Sequence, residues 1–181
     1  MQIVIVYATT EGQTRKIARH AARHLSERGH VVEVLPAGDA GSDPLPRGAR
    51  IIVAGSVHAG GFQPELVAFL RRHRRDVEAG EALFLAVSLT AAGRTEADWD
   101  ALEATLARFR KETGWAAPRL VHVAGAIRFS EYDFFRSWAM RWIAAERGHR
   151  VEGGRDVEFT DWPGLDAELD RWAAEVAPAA G

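Results

Sequence analysis

Ile3-Val4-Ile5-Val6-Tyr7-Ala8-Thr9-Thr10-Glu11-Gly12-Gln13-Thr14 is the stretch on which the fold turns. A short apolar run stops abruptly in small and hydroxylic residues, and a helix-forming stretch, 15–28, follows with no spacer. That succession predicts a β-strand, a tight turn and a helix N-terminus. Such a turn aims several backbone N–H groups at one spot, where the helix dipole adds partial positive charge. An anion is the natural occupant, and Thr9, Thr10 and Thr14 offer hydroxyl donors besides. The loop has one glycine and lacks the Gly-Lys-Ser/Thr ending of a triphosphate loop. It also lacks the three spaced glycines of a dinucleotide turn. A terminal phosphate therefore fits better than a pyrophosphate. The competing reading is an ordinary strand-to-helix turn capped by threonine.

Outward from this turn the pattern alternates. Further strands are predicted at 31–35, 50–54, 82–87 and 120–126, after the first at 3–7. Helices are predicted at 13–28, 64–79, 95–113 and 164–176. The first, third and fourth strands are nearly continuous apolar runs, as in parallel strands covered on both faces. Gly29, Gly80 and Gly114 follow helices where a C-terminal glycine belongs. Pro163 sits near the start of the last helix, where its missing N–H costs little. The sum is an α/β, doubly wound sheet with right-handed crossovers. No internal repeat or linker divides the chain, so residues 1–181 are read as one domain. The segment 36–48, rich in Gly, Pro and Asp, reads as a surface loop, and 177–181 as a frayed tail.

An apolar strand, then Thr9-x-x-Gly12-x-Thr14, then Ala18 four residues on, resembles the phosphate loop of the flavodoxins, which bind FMN. Tyr7 takes the aromatic position at the strand end, and Ala21 replaces the usual aliphatic residue. The resemblance implies a flavodoxin-like five-stranded parallel sheet in the order 2-1-3-4-5 with helices on both faces. The ligand then lies beyond the carboxyl ends of the strands, near the switch in strand order. The loops after strands one, three and four should meet there. The second of these is Gly55-Ser56-Val57-His58-Ala59-Gly60-Gly61-Phe62, and the third is Ser88-Leu89-Thr90-Ala91-Ala92-Gly93-Arg94. Both are small and backbone-rich, which suits a flat ring bonded by main-chain groups. The expected FMN contacts are Thr9, Thr10, Glu11, Gly12, Gln13 and Thr14, then Ser56, Val57, His58, Ala59 and Gly60, then Ser88, Leu89 and Thr90. A phosphate dianion gains roughly 1.5–3 kcal/mol per charged hydrogen bond before desolvation.

Bulk properties agree. With 181 residues the chain can bury a sizeable core. A net charge of -2 gives the whole molecule no strong pull on nucleic acid. The absence of cysteine excludes disulfides, iron–sulfur ligation and thiol catalysis. No leader is visible, and no run of about 18 apolar residues spans a membrane. The expected compartment is the cytoplasm, with the inner face of the cell membrane within reach. Among the histidines, His58 is the one placed near a flavin, as a donor or a proton carrier. His20, His24, His30 and His73 read as surface residues, and His122 as partly buried in its strand. His20 and His24 are four apart but have no carboxylate context in sequence, so no metal is expected. Arg71-Arg72-His73-Arg74-Arg75 reads as a solvated basic face.

Between the last strand and the last helix, residues 127–161 form a long insert. Plotted at about 100° per residue, Phe134, Phe135, Trp138, Ala139, Trp142 and Ile143 share one half of a helix. Arg136, Ser137, Arg141 and Arg147 lie on the other. Such a helix lies in a membrane interface, walls a greasy pocket, or packs on the sheet or on a second subunit of a homo-oligomer.

The stretch Val123-Ala124-Gly125-Ala126-Ile127-Arg128-Phe129, the aromatic and arginine-rich helix, and Glu158-Phe159-Thr160-Asp161-Trp162 are similar to the menaquinone-dependent protoporphyrinogen oxidases. The chain departs from their pattern at Arg150-Val151-Glu152-Gly153-Gly154-Arg155-Asp156, which bears on the substrate and not on the fold. The resemblance implies an FMN-dependent oxidoreductase passing electrons from a porphyrinogen-like substrate to a membrane quinone. Arg128, Arg136 and Arg141 then pair with propionates or lipid phosphates, and Phe134, Phe135, Trp138 and Trp142 meet the macrocycle, the quinone or the membrane. The alternatives are a flavodoxin-type electron carrier and an NAD(P)H:quinone reductase. Carriers of that family are usually acidic, for steering, and sandwich the flavin between aromatic residues; this chain is near neutral and offers only Phe62.

Overall fold

Val4, Val6, Ile3 and Ile5 are all buried, because β1 (Gln2–Ala8) is covered on both faces. The computed structural model of the chain describes residues 1–58, 60–89, 91, 96–127 and 157–175. After β1 come α1 (Gln13–Glu27), β2 (Val31–Pro36), β3 (Arg50–Ser56) and α2 (Pro64–Ala79). There follow β4 (Leu83–Ser88), α3 (Glu96–Thr113), β5 (Arg119–Ala124), β6 (Ala126–Ile127), β7 (Val157–Glu158) and α4 (Trp162–Ala174). Five strands form one parallel sheet in the order β2-β1-β3-β4-β5, as expected from sequence. Ile5 pairs with Val34 on one side and with Ile52 on the other.

Alternation along the strands divides the core. Val4, Val6, Val53 and Phe84 face α2 and α3 and pack with Leu70 and Trp115. Ile3, Ile5, Ile52 and Leu85 face α1 and α4 and pack with Ile17 and Trp172. Among the described residues the two layers leave the carboxyl ends of β1, β3 and β4 uncovered by helix, at the switch between β1 and β3.

Three expectations need correction. The strand predicted at 120–126 breaks at Gly125. Its last residues turn away as β6, which pairs antiparallel with β7, Ile127 opposite Val157. The last helix starts at Trp162 rather than 164, because the Asp161 side chain accepts from the Gly164 N–H at 3.0 Å and caps it. His24 and His73 are buried, not on the surface. His24 shares a face with Ile17, Ala21 and Leu25, at the spacing of a core stripe. His73 sits where α2 departs from helical geometry, stacks on Phe69 with ring centroids 4.8 Å apart, and donates from Nε2 to the Gly41 carbonyl at 2.9 Å.

Candidate functional site

Gly12 decides the shape of the first loop. Its φ of 88° is left-handed, which glycine adopts at no steric cost. It forms the N-cap of α1 without a side-chain cap, and the first turn holds no acidic residue. The opening N–H groups of a helix have no intrahelical acceptor, so they and the dipole point at whatever lies before Gln13. The turn is held in part by Thr9, whose Oγ1 accepts from the Gly12 N–H at 2.9 Å. Thr14 is fully buried, and its Oγ1 has no hydrogen-bond partner among the described residues. A buried hydroxyl left unpaired costs about 1–3 kcal/mol, and an anion at the α1 N-terminus would relieve that cost.

Three loops converge there on a cavity of about 330 Å³. The first contributes Thr9, Thr10, Glu11, Gln13 and Thr14; the second Ser56, Val57 and His58; the third Val87, Ser88 and Leu89. Gly125 and Ala126 close the far wall. Gly12 and Gly60 are not among the lining residues. Ala59 and Thr90 lie outside the described residues, as do Arg128, Phe134, Phe135, Arg136, Trp138, Arg141 and Trp142 of the insert.

The second loop is a tight hairpin. His58 N–H donates to the Gly61 carbonyl at 2.8 Å, and Gly61 N–H returns to the His58 carbonyl at 3.0 Å. Gly60, with φ of 76°, supplies the left-handed residue such a turn needs. Val57 N–H donates to the Val87 carbonyl at 2.8 Å. Two main-chain donors expected to face a ring are thus committed within the protein. The His58 side chain stays 40% exposed, with Nδ1 3.7 Å from Glu11 Oε1 across the cavity mouth. Phe62 turns away: its ring packs 4.4 Å from that of Phe109 and, with Leu66, fills the space a side chain at Gly55 would need. No aromatic side chain lines the cavity among the described residues.

Two sets of contacts were not legible from sequence. Gln63, only 8% exposed, precedes α2 and donates from Nε2 to Ser56 Oγ at 2.6 Å and to Thr10 Oγ1 at 3.1 Å. It ties the first loop to the second. The other set crosses from α1 to the chain after the insert. Gln13 Nε2 donates to Glu158 Oε1 at 2.8 Å and to Thr160 Oγ1 at 3.0 Å, and Thr160 donates to the Ala124 carbonyl at 2.8 Å. Lys16 pairs with Glu158 at 2.6 Å. Burial would raise the Glu158 carboxyl, but hydrogen bonds from Lys16 and Gln13 outweigh it and hold the group below its ordinary range. The only advance signal was the Thr160-Asp161-Trp162 element, which sequence had linked to a family and not to a contact.

The histidine pair on α1 has the carboxylate context that sequence did not reveal. His20 Nε2 lies 2.6 Å from Asp166 Oδ1, and His24 Nε2 lies 2.8 Å from Asp170 Oδ1. These contacts fasten α1 to α4. Among the described residues no group of three or more such side chains is arranged to hold a metal.

Comparison with known proteins agrees with this architecture. Residues 4–152 match the flavodoxin domain family. A protein of Leishmania major named protoporphyrinogen IX dehydrogenase (quinone) is 26% identical over 176 residues, covering 96% of this chain and 74% of its own. The Escherichia coli K12 protein of the same name is 23% identical over 177 residues, covering 98% of this chain and 95% of its own. Oxidised flavodoxin 1 from Bacillus cereus superposes with a TM-score of 0.57 at 13% identity, covering 98% and 100% of the two chains, a likeness of fold.

Proposed function

We propose, from the premise that this chain belongs to the flavodoxin domain family, that it is an FMN-dependent oxidoreductase. It takes electrons from a porphyrinogen-like tetrapyrrole and delivers them to a quinone. One observation carries the cofactor assignment. The helix α1 N-terminus lacks a side-chain cap and an acidic first turn, and the fully buried Thr14 Oγ1 beside it has no partner among the described residues. Those features fit the monophosphate of FMN. The relatives named protoporphyrinogen IX dehydrogenase (quinone) support the donor and acceptor.

FMN, when bound, supplies the two-electron redox chemistry. The protein's part is position and electrostatics. Thr9, Thr10 and Thr14 line the phosphate end and offer hydroxyl donors. Glu11 lines the cavity too, but a carboxylate repels phosphate, so its share is the backbone N–H. Ser56, Val57, Ser88, Leu89 and Gly125 wall the ring. His58, half-exposed at the mouth, is the group within reach to donate a proton to a reduced ring or accept one from it. Hydride transfer needs no further protein acid or base, so these are binding residues.

The stretch 128–156 is the proposed contact with macrocycle, quinone tail or membrane, on its sequence pattern alone. The electron-carrier reading is the weaker one, because Phe62 is spent in the core and no described aromatic lines the cavity.

Anaerobic mixing tests the proposal. FMN-loaded protein mixed with protoporphyrinogen should lose its yellow absorbance, and quinone should restore it. Absorbance unchanged by protoporphyrinogen rejects the donor. Reduced flavin that quinone leaves unoxidised rejects the acceptor.

A further inference from the structure

Helix α1 carries a row of like charges that costs the fold energy and returns little to it, among the described residues a single hydrogen bond from Arg23 to His20 Nδ1 at 3.1 Å. Arg15, Arg19 and Arg23 follow at four-residue spacing, and all three are exposed. Like charges at that spacing repel, and cations in the first turns oppose the helix dipole. No described carboxylate lies within ion-pair distance of any of the three. The neighbouring row is engaged within the protein: Lys16 pairs with Glu158 at 2.6 Å, and His20 Nε2 lies 2.6 Å from Asp166 Oδ1. Three guanidiniums with no carboxylate partner among the described residues therefore stand together on a chain whose net charge is -2.

They border a shallow open groove of about 610 Å³, whose other wall is Trp162 of α4. Lys16 Nζ stands 5.3 Å from the Trp162 ring centroid, and the His20 ring 4.5 Å. The lining contains no carboxylate. Indole beside guanidinium is the composition of a protein surface that meets lipid headgroups, since one pairs with phosphate and the other suits the boundary between water and hydrocarbon.

We propose that this face of α1 docks on an anionic phospholipid surface. Charge complementarity commits it to phosphate-bearing headgroups, and the open groove suits a sheet of them. Gly12 borders the groove and caps the helix whose first turn lines the cavity. Docking would place the headgroups on the same helix whose first turn, at Gln13 and Thr14, lines the cavity. The pair β6–β7, which bounds the stretch 128–156, is fastened to the same helix through Glu158. The purpose of docking rests on the quinone reading, since a quinone resides in the bilayer; the observation does not.

The test uses FMN-loaded protein and vesicles of phosphatidylcholine, alone or with about one-third phosphatidylglycerol. Co-sedimentation should require the anionic lipid and should weaken with salt. The variant Arg15→Gln/Arg19→Gln/Arg23→Gln should lose about 100-fold in affinity, from about 1 kcal/mol per cation at roughly 1.4 kcal/mol per decade. Its flavin content and its reaction with a short-chain, water-soluble quinone should be unchanged, and its melting temperature no lower than wild type. Equal binding to neutral vesicles overturns the proposal, as does undiminished binding by the variant. Displacement by millimolar glycerol phosphate overturns it in favour of a soluble phosphate ligand. Binding to polyglutamate but not to anionic vesicles overturns it in favour of an acidic protein. Vesicle binding as expected in protein that retains no flavin upholds this proposal while rejecting the redox reading.

Discussion

Gln63→Leu separates a strut of the fold from a strut of the cofactor site. The wild-type amide donates to Ser56 Oγ at 2.6 Å and to Thr10 Oγ1 at 3.1 Å, joining two of the three loops around the cavity. Each such bond contributes about 0.5–1.5 kcal/mol net, so their loss costs roughly 1–3 kcal/mol. The same substitution also removes Gln63 Oε1, a buried acceptor with no partner among the described residues. Deleting an unsatisfied buried acceptor returns roughly 1–3 kcal/mol. Leucine has nearly the same volume, and position 63 is extended at φ -59° and ψ 139°, so backbone strain is not added. The two effects nearly cancel in the empty protein, whose melting temperature should move by no more than about 2–4 °C, the shift for 1 kcal/mol in a chain of this size. They do not cancel in the complex, where untied loops must be ordered by the ligand. A loss of about 2 kcal/mol corresponds to about a 30-fold rise in Kd for FMN. Quenching of FMN fluorescence on titration with apoprotein reads the Kd, and circular dichroism reads the melt. A large fall in melting temperature with unchanged Kd would refute the reasoning and make Gln63 a structural support only.

Thr14→Val keeps the shape of a fully buried side chain and deletes a hydroxyl that has no partner among the described residues. The apoprotein should be as stable or more so, while FMN binding weakens by roughly 1.5–3 kcal/mol, read by the same titration. The insert can be excised without disturbing its base, because Ile127 and Val157 face each other across β6–β7. Replacing 128–156 by Asn-Gly, which favours a two-residue hairpin, should leave FMN bound and abolish quinone-linked turnover; full turnover would remove the insert from the reaction. The Glu168 carboxyl is held below its ordinary range chiefly by the Arg171 hydrogen bond, and further by Arg119 at 3.1 Å, against the opposing effect of burial. A lowered folded pKa gives stability that is present above the unfolded value, about 4.3, and is lost as pH falls through the folded one. Urea melts should therefore show Glu168→Gln less stable than wild type at neutral pH and the gap closing in acid; a constant gap contradicts the linkage.

The sheet was legible because its signals are local. The β1 run, the turn at Gly12 and the amphipathic α1 are contiguous, and the loops after β3 and β4 are punctuated by their own glycines. His24 is legible in the same local way: its spacing from Ile17 and Ala21 is that of the buried stripe, although its polarity points to the surface. His73 was harder, since its burial depends on a local departure from helix and on the distant Gly41 carbonyl. Gln63 carries no signal of its own: its bond to Ser56 depends on the local turn of the loop after β3, and Thr10 is brought to it by the parallel pairing of β1 with β3. The bond between Lys16 and Glu158 spans 142 positions and follows from the β6–β7 ribbon, which no periodicity marks.

The phosphate grip is tested most directly by calorimetric titration of apoprotein with FMN and, separately, with riboflavin. One FMN should bind per chain, and riboflavin should bind weaker by at least two orders of magnitude, the loss of about two charged hydrogen bonds at roughly 1.5 kcal/mol each. Equal affinities for the two flavins, or no heat with either, would contradict a phosphate held at the α1 N-terminus.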